Sequence, residues 1–437
     1  MLTFTKSQLV QLCYFISVCR KRLMRMNKLQ QHIEKCTEEM TLGELALVIS
    51  AFFKANAHLT DNFILSTIVT KAKQGRKTID QLYLTIIFKS LRSHEGLLKQ
   101  PILMLFLEFL HLEKITTKSF GHLVHYAAAY LIYQEVLMQE IRNRFAHTIN
   151  LARLKDIAKL MMYVCRVGYS SEHADPICNV AIDHLRSTCH TLRANEIKSY
   201  PFAFISCMAH LSSMGKYDPE LLDLIFNEAF LHDLHPSSLN DSAWWDIWYL
   251  DSNIRTDLPE YRHTRLPESY RGHFAKVAAR NCAAASKDQR VYHIEQFLSS
   301  VAFTLKNMFG CPSCVLVGRV LPQYTQSNII ICLDEATGRG VPIASGFLPE
   351  ILLEPRFVKC KDVTWLALEL IYKVKEILGT SDPYGLQQFK LRHLQSLGYI
   401  PHIIMESNWM RHVTESERVS YLGKLIANRN RPSQQQN

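Results

Sequence analysis

Five side chains near the end of the chain could engage a polyanion. Lys390, Arg392 and His393 fall within one helical turn in the run KLRHL, and Trp409 and Arg411 follow. Ammonium and guanidinium groups satisfy phosphate oxygens, and an exposed indole offers a base a stacking face worth about 1–3 kcal/mol. The spacing predicts a helix over Tyr384–Leu397 that carries the first three and is stopped by Gly398. A strand over Ile400–Met405 is expected next, then a loop that presents an exposed Trp409 beside Arg411. The competing reading pairs Arg392 with an acid such as Glu406 and packs Trp409 under the closing helix.

Kinase chemistry is excluded by what the chain lacks, and zinc or redox chemistry finds little support in the spacing. A protein kinase needs a Gly-rich loop, a strand lysine, an H-R-D loop and D-F-G to hold magnesium, and none of the four occurs. Gly338-Arg339-Gly340 is too short to cradle a nucleotide, and no G-x-x-x-x-G-K-[ST] is present. Cys311-Pro-Ser-Cys314 is the one close cysteine pair. A structural zinc site needs four ligands, and no second C-x-x-C or H-x-x-x-H follows at a usable distance. No thioredoxin-like βαβ pattern surrounds the pair either. The helix-borne His122, His125 and His210 have no partner at ligand spacing. Neither a metal site nor a cofactor is expected.

These groups need a scaffold, and the composition describes a large one. The chain has 437 residues, 48% hydrophobic and 21% charged, with a net charge of +10. That length implies two or three domains, and the balance is globular. The positive charge favours polyanionic partners without proving them. Twelve cysteines without repeating spacing read as free thiols in a reducing compartment. No run of about twenty apolar residues occurs, so no membrane span is expected. Residues 1–33 carry Lys6, Arg20, Lys21, Arg22, Arg25 and Lys28 and no acid before Glu34. That pattern suits a transit peptide or a basic first helix.

The expected architecture is mostly α, an α-solenoid of helical hairpins followed by a small C-terminal α/β domain. Residues 1–39 are a basic segment. Residues 40–231 repeat helix pairs every 37 to 41 positions or so, with units opening near Thr41, Thr78, Thr117, Leu154 and Asn195. A Thr, Asp or Asn near each start caps a helix with apolar residues at i, i+3, i+4 and i+7. Pro236 and neighbouring serines interrupt the pattern at His232–Asp241. Residues 241–308 open on the aromatic helix with Trp244, Trp245 and Trp248, followed by an extended, proline-fixed segment. Residues 309–426 form the α/β region, with strands over Asn328–Leu333 and Trp365–Ile371, and the tail 427–437 is polar and disordered.

The order Lys390-x-Arg392-His393-Leu394, Gly398-Tyr399, an apolar strand, Asn408-Trp409 and Tyr421-Leu422 resembles a RAP domain. This module closes proteins of the FAST kinase domain-containing family. Leu250-Asp251, Leu258-Pro259-x-Tyr261, Leu266-Pro267 and Tyr270 look like the segment that precedes it in that family. The resemblance implies a mitochondrial matrix protein, not a kinase, that binds single-stranded mitochondrial transcripts and affects their processing, stability or translation. It implies mitochondrial RNA-processing or ribosome-assembly proteins as further partners.

RAP domains in turn resemble PD-(D/E)xK nucleases, in which two acids and a lysine on adjacent strands hold a divalent metal. Here Asn328 and Ile330 stand where family members often carry acids, and Glu369 precedes Lys373 by four residues, the wrong spacing for E-x-K. The resemblance therefore implies a nuclease fold retained for RNA binding. An alternative, a metal-dependent RNA endonuclease, would rest on Asp334 and Glu369. A second alternative is a protein-interaction scaffold with no RNA contact.

Overall fold

Helices dominate the chain, and a four-stranded mixed sheet lies near its C-terminus. The computed structural model describes residues 4–75, 78–91, 115–234, 242–285, 289–349, 351–358, 362–378, 380 and 382–427. Two compact units are present, Met1–Ala181 and Ile182–Asn437. This division falls inside the stretch expected to be one helical-repeat domain. Most of the expected Pro/Ser break (235–241) and nearly all of the polar tail (428–437) lie outside the described residues.

In the first unit the helices are α1 (Lys6–Cys19), α2 (Met26–Glu34), α3 (Leu42–Lys54), α4 (Asn62–Gln74), α5 (Gln81–Leu91), α6 (Thr117–Ala129), α7 (Glu135–Thr148), α8 (Leu154–Arg166) and the start of α9 (Ala174–Thr188). Side-chain caps fix several starts. Thr41 and Glu44 form a reciprocal capping box on α3, as do Thr5 and Gln8 on α1, and Asp61 and Thr116 cap α4 and α6. Helices pack side by side: α1 on α3, α3 on α5, α5 on α6, and α6 on α8. Hydroxyl pairs sit in these seams, Ser17 with Ser50 at 3.1 Å and Thr85 with Ser119 at 2.7 Å. The basic N-terminal segment thus contributes α1, whose Leu9, Cys13 and Ile16 are buried.

The second unit continues with α10 (Ala194–Ser199), α11 (Pro201–Ser213), α12 (Pro219–Phe226), α13 (Glu228–Asp233), α14 (Ser242–Asp257), α15 (Glu268–Ala285) and α16 (Gln289–Phe309). The unit expected to open at Asn195 is split, because Pro201 takes the first turn of α11, where a missing N–H costs nothing. Trp244 and Trp248 of α14 are fully buried, and Trp244 stacks on Tyr270 at 5.3 Å. The proline-fixed segment folds back on α14. Leu266 N donates to Asp251 Oδ1 at 3.3 Å, and the buried Arg271 pairs with Asp251 at 3.1 Å.

The sheet runs β1 (Val315–Gly318), β2 (Asn328–Asp334), β3 (Val363–Ile371) and β4 (Ile400–Met405) in spatial order. The first two pairings are antiparallel and β3–β4 is parallel, with α17 (Gly385–Ser396) as the crossover between them. Residues of β2 are buried on both faces, which explains its unbroken apolar run. One face packs with α16, α18 (Glu406–Trp409) and α19 (Glu415–Ala427) around Ile331, Leu368, Leu370, Trp409 and Leu422. The other packs α17 through Leu394 against Ile330, Cys332 and Ala367. Gly398, at φ +95°, ends α17. A Cβ there would lie 2.3 Å from Val358 O, so only glycine fits.

Candidate functional site

Side-chain alternation along β3 puts Glu369 on the same face as Ala367, the face covered by α17. The β2–β3 register ends at Ile329 opposite Leu368, and one further step sets Asn328 beside Glu369. From α17, Gln387 and Lys390 reach down one helical turn apart. Lys390 Nζ lies 2.6 Å from Glu369 Oε2, and Asn328 Nδ2 donates to the same oxygen at 2.6 Å. Lys390 Nζ also donates to Gln326 O at 3.2 Å and lies 5.4 Å from the Tyr324 ring centre. Gln326 Oε1 accepts from Lys375 Nζ at 2.6 Å and from Gln387 Nε2 at 3.2 Å.

Charge in this pocket is nearly self-contained. Lys390 is 1% exposed and Glu369 0%. Burial pulls the Lys390 ammonium below its usual range, and the Glu369 carboxylate opposes that pull. Burial likewise takes Lys375 down to about 8, against the attraction of Glu369 and with added repulsion from Lys390. Glu369 Oε1 and Asn328 Oδ1 are buried without a donor.

This arrangement does not suit a divalent cation. Such an ion takes about six oxygen ligands and favours several charged ones, whereas the pocket offers a single carboxylate, already in contact with an ammonium at 2.6 Å. The endonuclease alternative fares no better. Asp334 pairs in register with Val363, six residues along β3 from Glu369, which separates the two acids by about 20 Å at 3.3 Å per residue. Asp334 instead closes a turn, accepting from the Thr337 amide and hydroxyl at 2.7 Å each, and these bonds hold its carboxyl below the usual range. The pairing of Asp334 with Glu369 is therefore corrected.

The opposite side of α17 meets α14. Asp257, at the end of α14, accepts from Tyr217 OH at 2.6 Å and pairs with Arg392 Nη2 at 2.7 Å and His393 Nε2 at 3.0 Å. Burial alone would raise its carboxyl, but these partners, His393 foremost, hold it below the usual range. Burial lowers the basicity of His393, against the opposing pull of Asp257. Gln323 Nε2 lies 3.2 Å from His393 Nδ1, so Nδ1 accepts and Nε2–H faces Asp257. Gln323 also reaches Asn253 Oδ1 at 3.3 Å, and Asn253 Nδ2 reaches Ser212 Oγ at 2.9 Å. Gly215, at φ +69°, lies against the guanidinium, where a Cβ would come within 3.0 Å of Arg392 Nη1.

Three of the five expected RNA contacts, Lys390, His393 and Trp409, are thus corrected to interior positions, and Arg392 is half-exposed. Lys390 and His393 face the interior from opposite sides of α17. Arg392 is committed to Asp257, not Glu406. Trp409, expected at the surface, is 1% exposed, donates to Ser300 Oγ at 3.3 Å and packs on Phe297 and Tyr421. Its indole fills the space between α16 and α19, which gives up more water-exposed apolar area than a loop position would. Arg411 alone is exposed. Sequence reasoning missed Gln326, Gln387, Lys375, Asp257 and Tyr217. One signal was present: Gln387, Lys390 and Leu394 share a helical stripe, so polar groups interrupt the face that meets the sheet.

No protein-family model matches the chain, and no curated protein matches it. No described helix is long and apolar enough to cross a membrane.

Proposed function

We propose that the chain is an RNA-binding protein of the mitochondrion. In this reading it acts on the processing, stability or translation of single-stranded transcripts, through a C-terminal unit that keeps a nuclease-like fold without its cutting centre. The observation that carries the non-cleaving part is Lys390 seated on Glu369 beside Asn328, a cation supplied by the protein itself. The side-by-side packing of helices supports an α-solenoid for the first unit. RNA binding itself rests on the RAP-like order of Leu386–Ile426 and on the net charge of +10.

With Lys390 and His393 buried and Arg392 paired with Asp257, phosphate contact falls to exposed cations. Arg411 follows α18, and exposed Lys373 follows β3. Their segments are neighbours, since Lys373 N donates to Glu406 Oε2 at 3.1 Å and Ser407 Oγ to Glu376 Oε1 at 3.1 Å. Both stand at the carboxyl ends of the parallel strand pair, where open α/β sheets commonly receive ligands.

The test is the affinity of the purified chain for a fluorescent single-stranded RNA across a salt series. Binding should weaken steeply with salt, and Lys373→Ala with Arg411→Ala should flatten the log–log slope by about 1.4 for two lost phosphate contacts. A chain with no salt-sensitive affinity would instead be an interaction scaffold. Magnesium- or manganese-dependent cleavage would restore the endonuclease reading.

A further inference from the structure

We propose that Cys311 and Cys314 are a redox-active dithiol that exchanges electrons with small disulfides by making and breaking an internal disulfide bond. The pair occupies the turn between α16 and β1, where Pro312–Cys314 form one 3-10 turn. Cys314 N donates to Cys311 O at 3.1 Å. A turn closed this way brings its end Cα atoms within about 7 Å, and a disulfide spans about 4.4–6.8 Å. Both thiols are free.

The two sulfurs are unlike in the way exchange requires. Cys311 is only partly buried, with Ser313 Oγ at 3.5 Å from its Sγ, and hydrogen bonds from Ser313 foremost hold its thiol below the usual range. Cys314 is 0% exposed and belongs to the core under the sheet. Burial pushes its thiol up to about 12, with further contributions from charge on Cys311 and Cys332. A more accessible sulfur, more readily deprotonated, beside a shielded one separates the attacking sulfur from the resolving one. Gly340 closes the pocket from behind, since a Cβ there would lie 2.5 Å from Cys314 Sγ.

With glutathione disulfide as oxidant, the Cys311 thiolate attacks one sulfur. The Cys311–glutathione bond forms as the S–S bond of the oxidant breaks, releasing one glutathione thiolate. Cys314 then loses its proton and attacks Cys311 Sγ, forming the internal bond and releasing the second glutathione. Two protein thiols are oxidised, one glutathione disulfide is reduced, and the two thiol protons end on two glutathiones.

The experiment equilibrates the full chain in glutathione/glutathione disulfide mixtures, alkylates the free thiols with iodoacetamide and maps the peptides by mass. In the reduced protein Cys311 should label about tenfold or more faster than Cys314. In the oxidised protein the two should be joined, with loss of two hydrogens and no label on either. Cys314→Ser should stop at a Cys311–glutathione adduct, and Cys311→Ser should give neither adduct nor internal bond. A wild-type chain that keeps the glutathione adduct, or that joins Cys314 to Cys332, would overturn the proposal. The wild-type peptide map decides the matter even if a variant folds poorly.

Discussion

Helix α17 separates two polar centres built on opposite plans. Toward the sheet, Lys390 and Glu369 form a single ion pair whose side chains are 1% and 0% exposed. Toward α14, one carboxylate, Asp257, serves a tyrosine, an arginine and a histidine, and the Arg392 side chain is 34% exposed. A lone pair in the interior has no replacement when one member is lost, because water does not reach it. A shared acceptor near the surface keeps its remaining donors, and solvent takes the vacated place. One twelve-residue helix thus carries one interaction that tolerates almost no change and another that tolerates a good deal.

The largest effect should come from breaking the lone pair. Lys390→Met should cost about 3–5 kcal/mol in a urea melt, since the buried Glu369 would lose the one ammonium in contact with it. Adding Glu369→Leu should recover most of that loss. If the double variant is no more stable than Lys390→Met alone, the one-to-one description fails.

A smaller effect is expected on the other side. Asp257→Asn should cost about 1.5–3 kcal/mol at neutral pH, because Tyr217 and Arg392 lose a charged acceptor and His393 a charged neighbour. The folded carboxyl sits below its unfolded value, so its contribution is complete above about pH 4 and disappears as pH falls through the folded value. Melts of wild type and variant should therefore converge in acid. A difference that persisted at low pH would mean that shape, not charge, holds this centre.

The smallest effect sharpens the contrast. Arg392→Ala should cost about 1 kcal/mol or less and should cost less still in high salt. A loss as large as that of Lys390→Met would show that both faces of α17 follow the same plan.

Local features were legible in the sequence, and partner choice was not. The strand Ile400–Met405 stands as expected, the β-branched run Asn328–Leu333 became β2 with one added residue, and Tyr384–Leu397 lost one residue at each end. Thr41 caps its helix as its spacing required. The short edge strand β1 was not foreseen. In the site, the helix bearing Lys390, Arg392 and His393 was foreseen, but their direction was not. A basic run on a helix reads as a solvated face when only one side of the helix is assumed to be covered. Here α17 is enclosed by the sheet on one side and α14 on the other, so its charges find acids 21 and 135 positions away. Trp409 packs under the closing helix, as the competing reading had it, and its further cover from α16 is what no nearby residue announces.

The order of the strands also bears on how the sheet treats other chains. Among the described residues its outer strands are β1 and β4, and an open strand edge is a template for adding a foreign strand. One edge is only four residues long. The other carries Pro401, which has no amide hydrogen to offer to a new neighbour. The apolar strands β2 and β3, the segments best suited to self-association, are held between these blunted edges, which guards the folded unit against growing into a larger sheet.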